Sequence, residues 1–526
     1  MSGPLSGSAF AYGSRITDHG SRLSFPFREF FPVSIPPASP PATPRAAASS
    51  PDPNARFFAT DHLRKDLKGR SVRGGAVTAS TQAIKFVVRF GSTAVLARLL
   101  TPADYGLIGM TAVVTGFVGL FRDAGLTSAV VQRDQLTHPQ VSTLFWINVL
   151  LGCGLAIVLA LLAPAIAAFY GEPRLQSVTL ALASTFILGG FGVQHGALMR
   201  RQMQFKVLGL IDLCSMIAGV VAAIALATAG FSYWSLVAMN VVTSVVHLVA
   251  VWLAQPWRPG LPVRGSGVGA LVRFGSDILG FNIVNYLARK ADNLLIGWCW
   301  GAGALGLYDK AYTLLLFPIS QINQPLGAVA TPALARSRSN PAELRRYFLT
   351  LHHLVACAGI PIVFGIALFA PEIVQLWLGP RWSECAGLFR LLAVAALVGA
   401  MANPTGWLLV SLGLTRRYRN MGLLSSALIV LSFGLGLGYG PQGVAAAYSC
   451  AMALLIIPLW YFVLPGTGIR LRDMLTNLVT PLVSGVAAVA AGWGMQVWLN
   501  PLLPGLAAFA LAGVGFSATY AGLLLG

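Results

Sequence analysis

The stretch QAIKFVVRFGSTAVLARLL, residues 82 to 100, is apolar enough to sit in lipid, yet Lys85, Arg89 and Arg98 interrupt it. Its surroundings decide how those cations are read. Of 526 residues, 56% are hydrophobic and 10% charged, with a net charge of +19 and a mean hydropathy of +0.71. No soluble globular domain of this length is so apolar, and the chain reads as an all-α polytopic membrane protein. A spanning helix needs about 20 apolar residues. Hydropathy places such spans at 74–99, 105–130, 141–169, 175–197, 206–228, 232–254, 272–298, 304–331, 346–370, 385–411, 418–437, 442–464, 474–498 and 503–525, about fourteen in all.

Residues 1–70 read as a disordered, basic, Pro-rich tail, with FPFREFFPVSIPPASPPATPR at residues 25–45 and no sustained period. Beyond it the loops alternate in charge. One set holds the N-terminal basic segment, MRRQMQFK, ARSRSNPAELRRY, TRRYRN and GIRLRD; the other, with TPAD, YGEPRL, WGAGA and YGPQG, is nearly free of cations. The positive-inside rule makes the first set cytoplasmic, with both termini on that side. The basic excess is therefore topological. Lys and Arg spread along the whole chain do not suggest nucleic acid. The six cysteines and seven histidines show no metal-ligand or redox spacing, so no cofactor is expected.

An internal repeat is visible at an offset of 200. Residues 85–110 lie over 285–310, aligning Phe86 with Tyr286, Arg89 with Arg289, and Gly106-Leu107 with Gly306-Leu307. The expectation is two six-helix lobes, 71–260 and 261–465, related by an axis along the membrane normal, with two added helices at 466–526.

Both repeats carry a polar stripe. Thr78, Gln82, Lys85, Arg89 and Thr93 share one helical face, as do Asn282, Asn285, Arg289 and Asp292, with Lys290 beside them. A cation at the bilayer centre costs about 2.5–3.5 kcal/mol even on the lenient insertion scale. Such faces are expected to line a hydrated cavity holding Lys85, Arg89, Arg289 and Lys290, with Gln82, Asn282, Asn285, Asp292, Asp309 and Lys310 as further polar or coupling groups. Snorkelling to the headgroups is the competing reading, accepted for Arg98, Arg122 and Arg273. Asp292 three residues after Arg289 reads either as a structural neutralisation or as a carboxylate whose protonation frees the arginine. Asp309-Lys310 is equally open. Pro318, Pro325 and Pro332 favour a bend in their span, with or without a gating role.

The segments LARLLTPADYGLIGM, FRDAGLTSAVVQRDQLT, STLFWINVLLG, APAIAAFYGEPRL, ADNLLIGWCWGAGALGLYDKAYTLLLFP and YGPQGVAAAYS resemble, in order and spacing, the Wzx-type lipopolysaccharide and exopolysaccharide flippases. The colanic-acid-exporter-like branch of the multidrug/oligosaccharidyl-lipid/polysaccharide exporter superfamily is the nearest in pattern. The resemblance covers about residues 70–470. It implies a V-shaped pair of lobes that moves undecaprenyl-diphosphate-linked oligosaccharide across the bacterial inner membrane by alternating access. Membrane lipids and other polysaccharide assembly proteins are its implied partners. A cationic cavity suits that reading, because a diphosphate crossing a low-dielectric slab needs its hydration replaced. The alternatives are a multidrug exporter of the same superfamily, whose usual cationic substrates suit carboxylates better, and a polysaccharide polymerase or ligase. The latter lacks the large extramembrane loop such chemistry ordinarily uses.

Overall fold

The computed structural model describes residues 55–58, 67–123, 127, 130–131, 133, 136–263 and 269–525. The helices are α1 (Ala55–Phe58), α2 (Leu67–Leu99), α3 (Pro102–Asp123), α4 (His138–Tyr170), α5 (Arg174–Arg201), α6 (Phe205–Thr228), α7 (Trp234–Ala254), α8 (Gly269–Arg336), α9 (Pro341–Leu368), α10 (Ala370–Trp377), α11 (Cys385–Ser411), α12 (Thr415–Gly436), α13 (Gly440–Val463), α14 (Leu471–Leu499) and α15 (Gly505–Leu525). Every expected span overlaps a described helix, with residues 124–126 and 128–129 of the span 105–130 outside the described residues. Among the described residues, ten helical stretches are long and apolar enough to cross a membrane, so the count of fourteen is not reached on that measure. Polar stripes keep α2 and α8 out of the ten, and α12 and α13 enter as one stretch.

Helix α8 covers 68 residues and is broken at Gly301, whose φ of 78° and ψ of −176° suit only glycine. It thus supplies two arms, before and after Gly301. Pro318, Pro325 and Pro332 lie within helical backbone, so the departure from helical geometry belongs to Gly301 and not to the prolines.

The packing order of the first half recurs in the second. Helix α2 packs on α6, α6 on α7, α7 on α5, and α3 on α4 and α5. Correspondingly α8 packs on α12, α12 on α13, α13 on α11, and α8 again on α9 and α11. Helices α14 and α15 pair with each other and lean on α9.

Between the halves, contacts are reciprocal at the repeat offset. A Cβ built on Gly106 would lie 1.7 Å from the Ala302 carbonyl oxygen, and one on Gly306 would lie 1.8 Å from that of Pro102. Phe86 stacks on Phe317 at 4.7 Å, while Tyr286 approaches Phe117 at 6.4 Å between ring centroids. Residue i meeting j + 200, while i + 200 meets j, is what a two-fold relation produces.

Two features were not expected. Arg98 makes a specific contact at the end of α2: its Nη2 donates to the Leu376 carbonyl at 2.6 Å, and beside it the buried Trp382 indole donates to the Ala97 carbonyl at 2.8 Å. Helix α10 and the turn Pro380–Trp382 thereby clamp the end of α2, a contact between sequence-distant segments that hydropathy cannot reveal. The tail range 1–70 also includes α1, where Phe57 and Phe58 are buried against Phe145, Leu198 and Trp257. Arg201 Nε donates to the Phe58 carbonyl at 3.1 Å, and Gln202 to that of Phe57 at 2.9 Å. Two adjacent aromatics in an aperiodic segment gave no helical signal; residues 1–54 and 59–66 lie outside the described residues.

Gly106→Val is expected to destabilise the protein by about 1–3 kcal/mol or more, since α3 and α8 must separate to admit the side chain. Gly119→Ala, whose Cβ meets nothing within 4 Å, is the neutral control. Thermal unfolding followed by size-exclusion chromatography in detergent reads both.

Candidate functional site

The polar stripe of α2 meets α6 where Gly209 admits Thr81; a Cβ on Gly209 would lie 2.7 Å from Thr81 Oγ1. This closeness brings Lys85 Nζ to 2.6 Å from Asp212 Oδ2, while His247 Nε2 on α7 lies 3.4 Å from Asp212 Oδ1. Lys85 is therefore ion-paired within the first half. Asp212 and His247 were missed by the sequence reading, although Asp212 stands alone in the apolar run GLIDLCSM. A lone carboxylate in a span carries the same signal as a lone cation.

One turn further along α2, Arg89 is exposed and has no ion-pair partner among the described residues, and Gln82 is exposed as well. Phe86 and Phe90, which bracket Arg89 in sequence, stack on Phe317 in the second arm of α8.

Arg289, the repeat equivalent of Arg89, is likewise exposed and without an ion pair among the described residues. It lines a cavity of about 260 Å³ with Tyr312, Tyr448 and Asn403 over an apolar floor that includes Leu316 and Ile319. Arg289 thus faces residues 312–319 of α8, and Phe86 and Phe90, beside Arg89 on α2, meet the same stretch at Phe317. Lys290 does not join them. It lines a separate groove of about 560 Å³ with Val113, Tyr286, Leu294, Leu423 and Val430. Adjacent residues on a helix point about 100° apart, so one turn of α8 offers one cation to each space.

Asp292 is buried, at 3% exposure, and forms no ion pair with Arg289. Instead it accepts hydrogen bonds from Tyr308 Oη at 3.1 Å and its neighbour's amide, Asn293 N, at 2.7 Å. Asn293 Nδ2 donates to Asp309 Oδ1 at 3.0 Å. Bonds 292–308 and 293–309 join the two arms of α8 across Gly301. Lys310 Nζ lies 3.8 Å over the ring of Tyr105, a cation–π contact from α8 to α3. The side chains of Asn282 and Asn285 lie outside the described residues.

The arrangement sorts the expected site residues by partner. Lys85, Asp292, Asp309 and Lys310 are engaged in packing the helices. Arg89 and Arg289 remain able to meet an anion, with Tyr312, Tyr448 and Asn403 supplying neutral hydrogen-bonding groups. Those three were not singled out in the sequence, because Tyr and Asn in apolar helices carry no charge signal.

Comparison with known proteins agrees with this architecture. A family model described as polysaccharide biosynthesis protein matches residues 95–387, more than half of the chain. The chain is 24% identical over 447 residues to the lipopolysaccharide biosynthesis protein WzxC of Escherichia coli K12, spanning 82% of this chain and 89% of that protein. It is 27% identical over 332 residues to the teichuronic acid biosynthesis protein TuaB of Bacillus subtilis 168, spanning 62% and 68%. Among solved structures, the lipid II flippase MurJ in an inward closed conformation superposes with a TM-score of 0.67 at 12% identity, covering 86% of this chain and all of that one, which shows a shared fold. The repeated helix packing, the paired arginine positions and a family match over most of the helical core place the conclusion: the chain belongs to the polysaccharide biosynthesis protein family.

Proposed function

We propose that the protein is a flippase that moves undecaprenyl-diphosphate-linked oligosaccharide from the cytoplasmic to the periplasmic leaflet of the bacterial inner membrane. The product feeds assembly of lipopolysaccharide O-antigen, capsule or exopolysaccharide, and the protein acts as a secondary transporter, not an enzyme. One observation carries the reading: Arg89 and Arg289, at equivalent repeat positions, are the stripe arginines left without an acidic partner among the described residues. A guanidinium at each of two equivalent repeat positions fits a diphosphate, which Arg grips bidentately. A cationic drug would meet repulsion at the same place.

The geometry also suits alternating access. The reciprocal glycine contacts and the α10 clamp lie at the cation-poor ends of the helices. With the basic loops in the cytoplasm, the two lobes, 71–260 and 261–465, meet at the periplasmic side and admit substrate from the cytoplasmic side. Relatives whose names refer to lipopolysaccharide and teichuronic acid biosynthesis support an anionic, lipid-carried glycan as the cargo.

Arg89→Ala and Arg289→Ala are each expected to lower polysaccharide export at least tenfold in a strain dependent on this chain, at matched membrane protein levels. Wild-type export by both variants overturns the assignment. Lys85 acts differently: Lys85→Met and Asp212→Leu should each destabilise the protein, while the double variant recovers most of the loss. A double-mutant cycle on thermal unfolding is expected to give a coupling of about 1 kcal/mol or more.

A further inference from the structure

The two-fold relation makes every departure from it informative, and positions 90 and 290 depart. On one side Phe90 packs on Trp377 at 3.6 Å between ring centroids, and Phe86 on Phe317, so aromatic rings of α2, α8 and α10 fill the lateral cleft. On the other side the equivalent position is Lys290, and the cleft between α3, the first arm of α8 and α12 is open as the groove described above. Helix α10, which supplies Trp377, has no counterpart there: the corresponding turn between α4 and α5 is only residues 171–173.

Lys290 is the one charged residue lining the open groove, whose walls are otherwise apolar apart from Ser426 and the hydroxyl of Tyr286. Lys290 has no ion pair among the described residues. An ammonium facing hydrocarbon is costly, whereas an amphiphile with an anionic head beside Lys290 and its chain along the apolar wall satisfies both parts. Tyr286 ties α8 to α3 at this groove: its hydroxyl donates to the Val113 carbonyl at 2.9 Å and to that of Ala112 at 3.1 Å. One residue before Lys290 on the same helix stands Arg289, which lines the other cavity.

We propose that this groove is the lateral docking site for the polyprenyl-diphosphate carrier, which enters between α3 and α12 with its diphosphate on Lys290 and its chain on the apolar wall. The diphosphate then passes to Arg289 when Tyr286 releases α3. The opposite cleft, sealed by Phe86, Phe90, Phe317 and Trp377, does not admit it. This inference rests on the flippase reading and specifies its entry side.

The test uses the full chain in phosphatidylethanolamine–phosphatidylglycerol vesicles containing radiolabelled undecaprenyl diphosphate, with benzoylphenylalanine replacing Leu423 in the groove or Trp377 in the sealed cleft. Illumination should label the Leu423 site and leave the Trp377 site at background. Lys290→Ala and Lys290→Gln should each cut labelling at least fivefold, and Lys290→Arg should retain it, at equal amounts of monodisperse protein. Labelling that ignores Lys290, equal labelling of both clefts, or phosphatidylglycerol adducts that excess undecaprenyl diphosphate does not displace each overturn the proposal. The last result identifies an ordinary anionic-phospholipid niche. Export by the Arg289→Ala variant separates the two readings: no groove labelling with export still lost removes only the entry site, whereas normal export with groove labelling removes the transport role and leaves a lipid site.

Discussion

The close approach of two backbones at Gly106 and Gly306 is the constraint from which the architecture follows. At both positions the space a Cβ needs is occupied by a carbonyl of the other repeat, so α3 and the second arm of α8 touch through main chain. In lipid there is no hydrophobic drive between helices, and small residues that permit such contact are what hold them together. Because the contact is reciprocal, it fixes a two-fold axis between the halves. Phe86 with Phe317 and Tyr286 with Phe117 then fall into matching places. The halves join at this end of the helices, and a transporter whose lobes rock must break and remake this glycine contact.

Given that frame, the polar groups inside the helices divide by whether a partner is within reach. A charge in the apolar slab without a partner costs several kcal/mol, and most of the charges here are matched: Lys85 with Asp212, Asp292 with Tyr308, Asp309 with Asn293, Lys310 with the face of Tyr105. These contacts tie α2 to α6, one arm of α8 to the other, and α8 to α3. The stripe reads as functional only where this matching fails. It fails among the described residues at Arg89, Arg289 and Lys290, and the first two are repeat equivalents.

Much of this was legible in the sequence because it depends on local period and fixed offset. Span positions follow from hydropathy, and the repeat from Phe86/Tyr286, Arg89/Arg289 and Gly106/Gly306. What escaped depends on contacts between distant segments. Asp212 lies 127 residues from Lys85 and carries no signature of its pairing. Arg98 and Leu376 are 278 residues apart, and a guanidinium near a helix end looks the same whether it reaches headgroups or a carbonyl. Spacing alone also suggested that Asp292 would pair with Arg289, but i, i+3 neighbours compete with any donor that packs closer, and Tyr308 does. Lys290 and Arg289, adjacent in sequence, line different spaces for a simpler reason: consecutive helical residues face about 100° apart.

The two-fold frame also explains why its violations carry meaning. A symmetric scaffold presents two equivalent lateral clefts, but an amphiphile with one head and one chain gains nothing from entering both. Filling one cleft with Phe90, Trp377 and Phe317 strengthens the joint between lobes by aromatic packing. The joint needs that reinforcement on one side only, because α10 exists on one side only. The cleft left open then needs a reason for a cation, since Phe at position 290 as at 90 would have suited lipid better. Lys290 in an apolar groove is a local cost to the helix, and a cost retained against a better-packing residue at the equivalent position points to a ligand that offsets it. The asymmetry between residues 90 and 290 is thus where a duplicated fold becomes a directional path for a single anionic lipid.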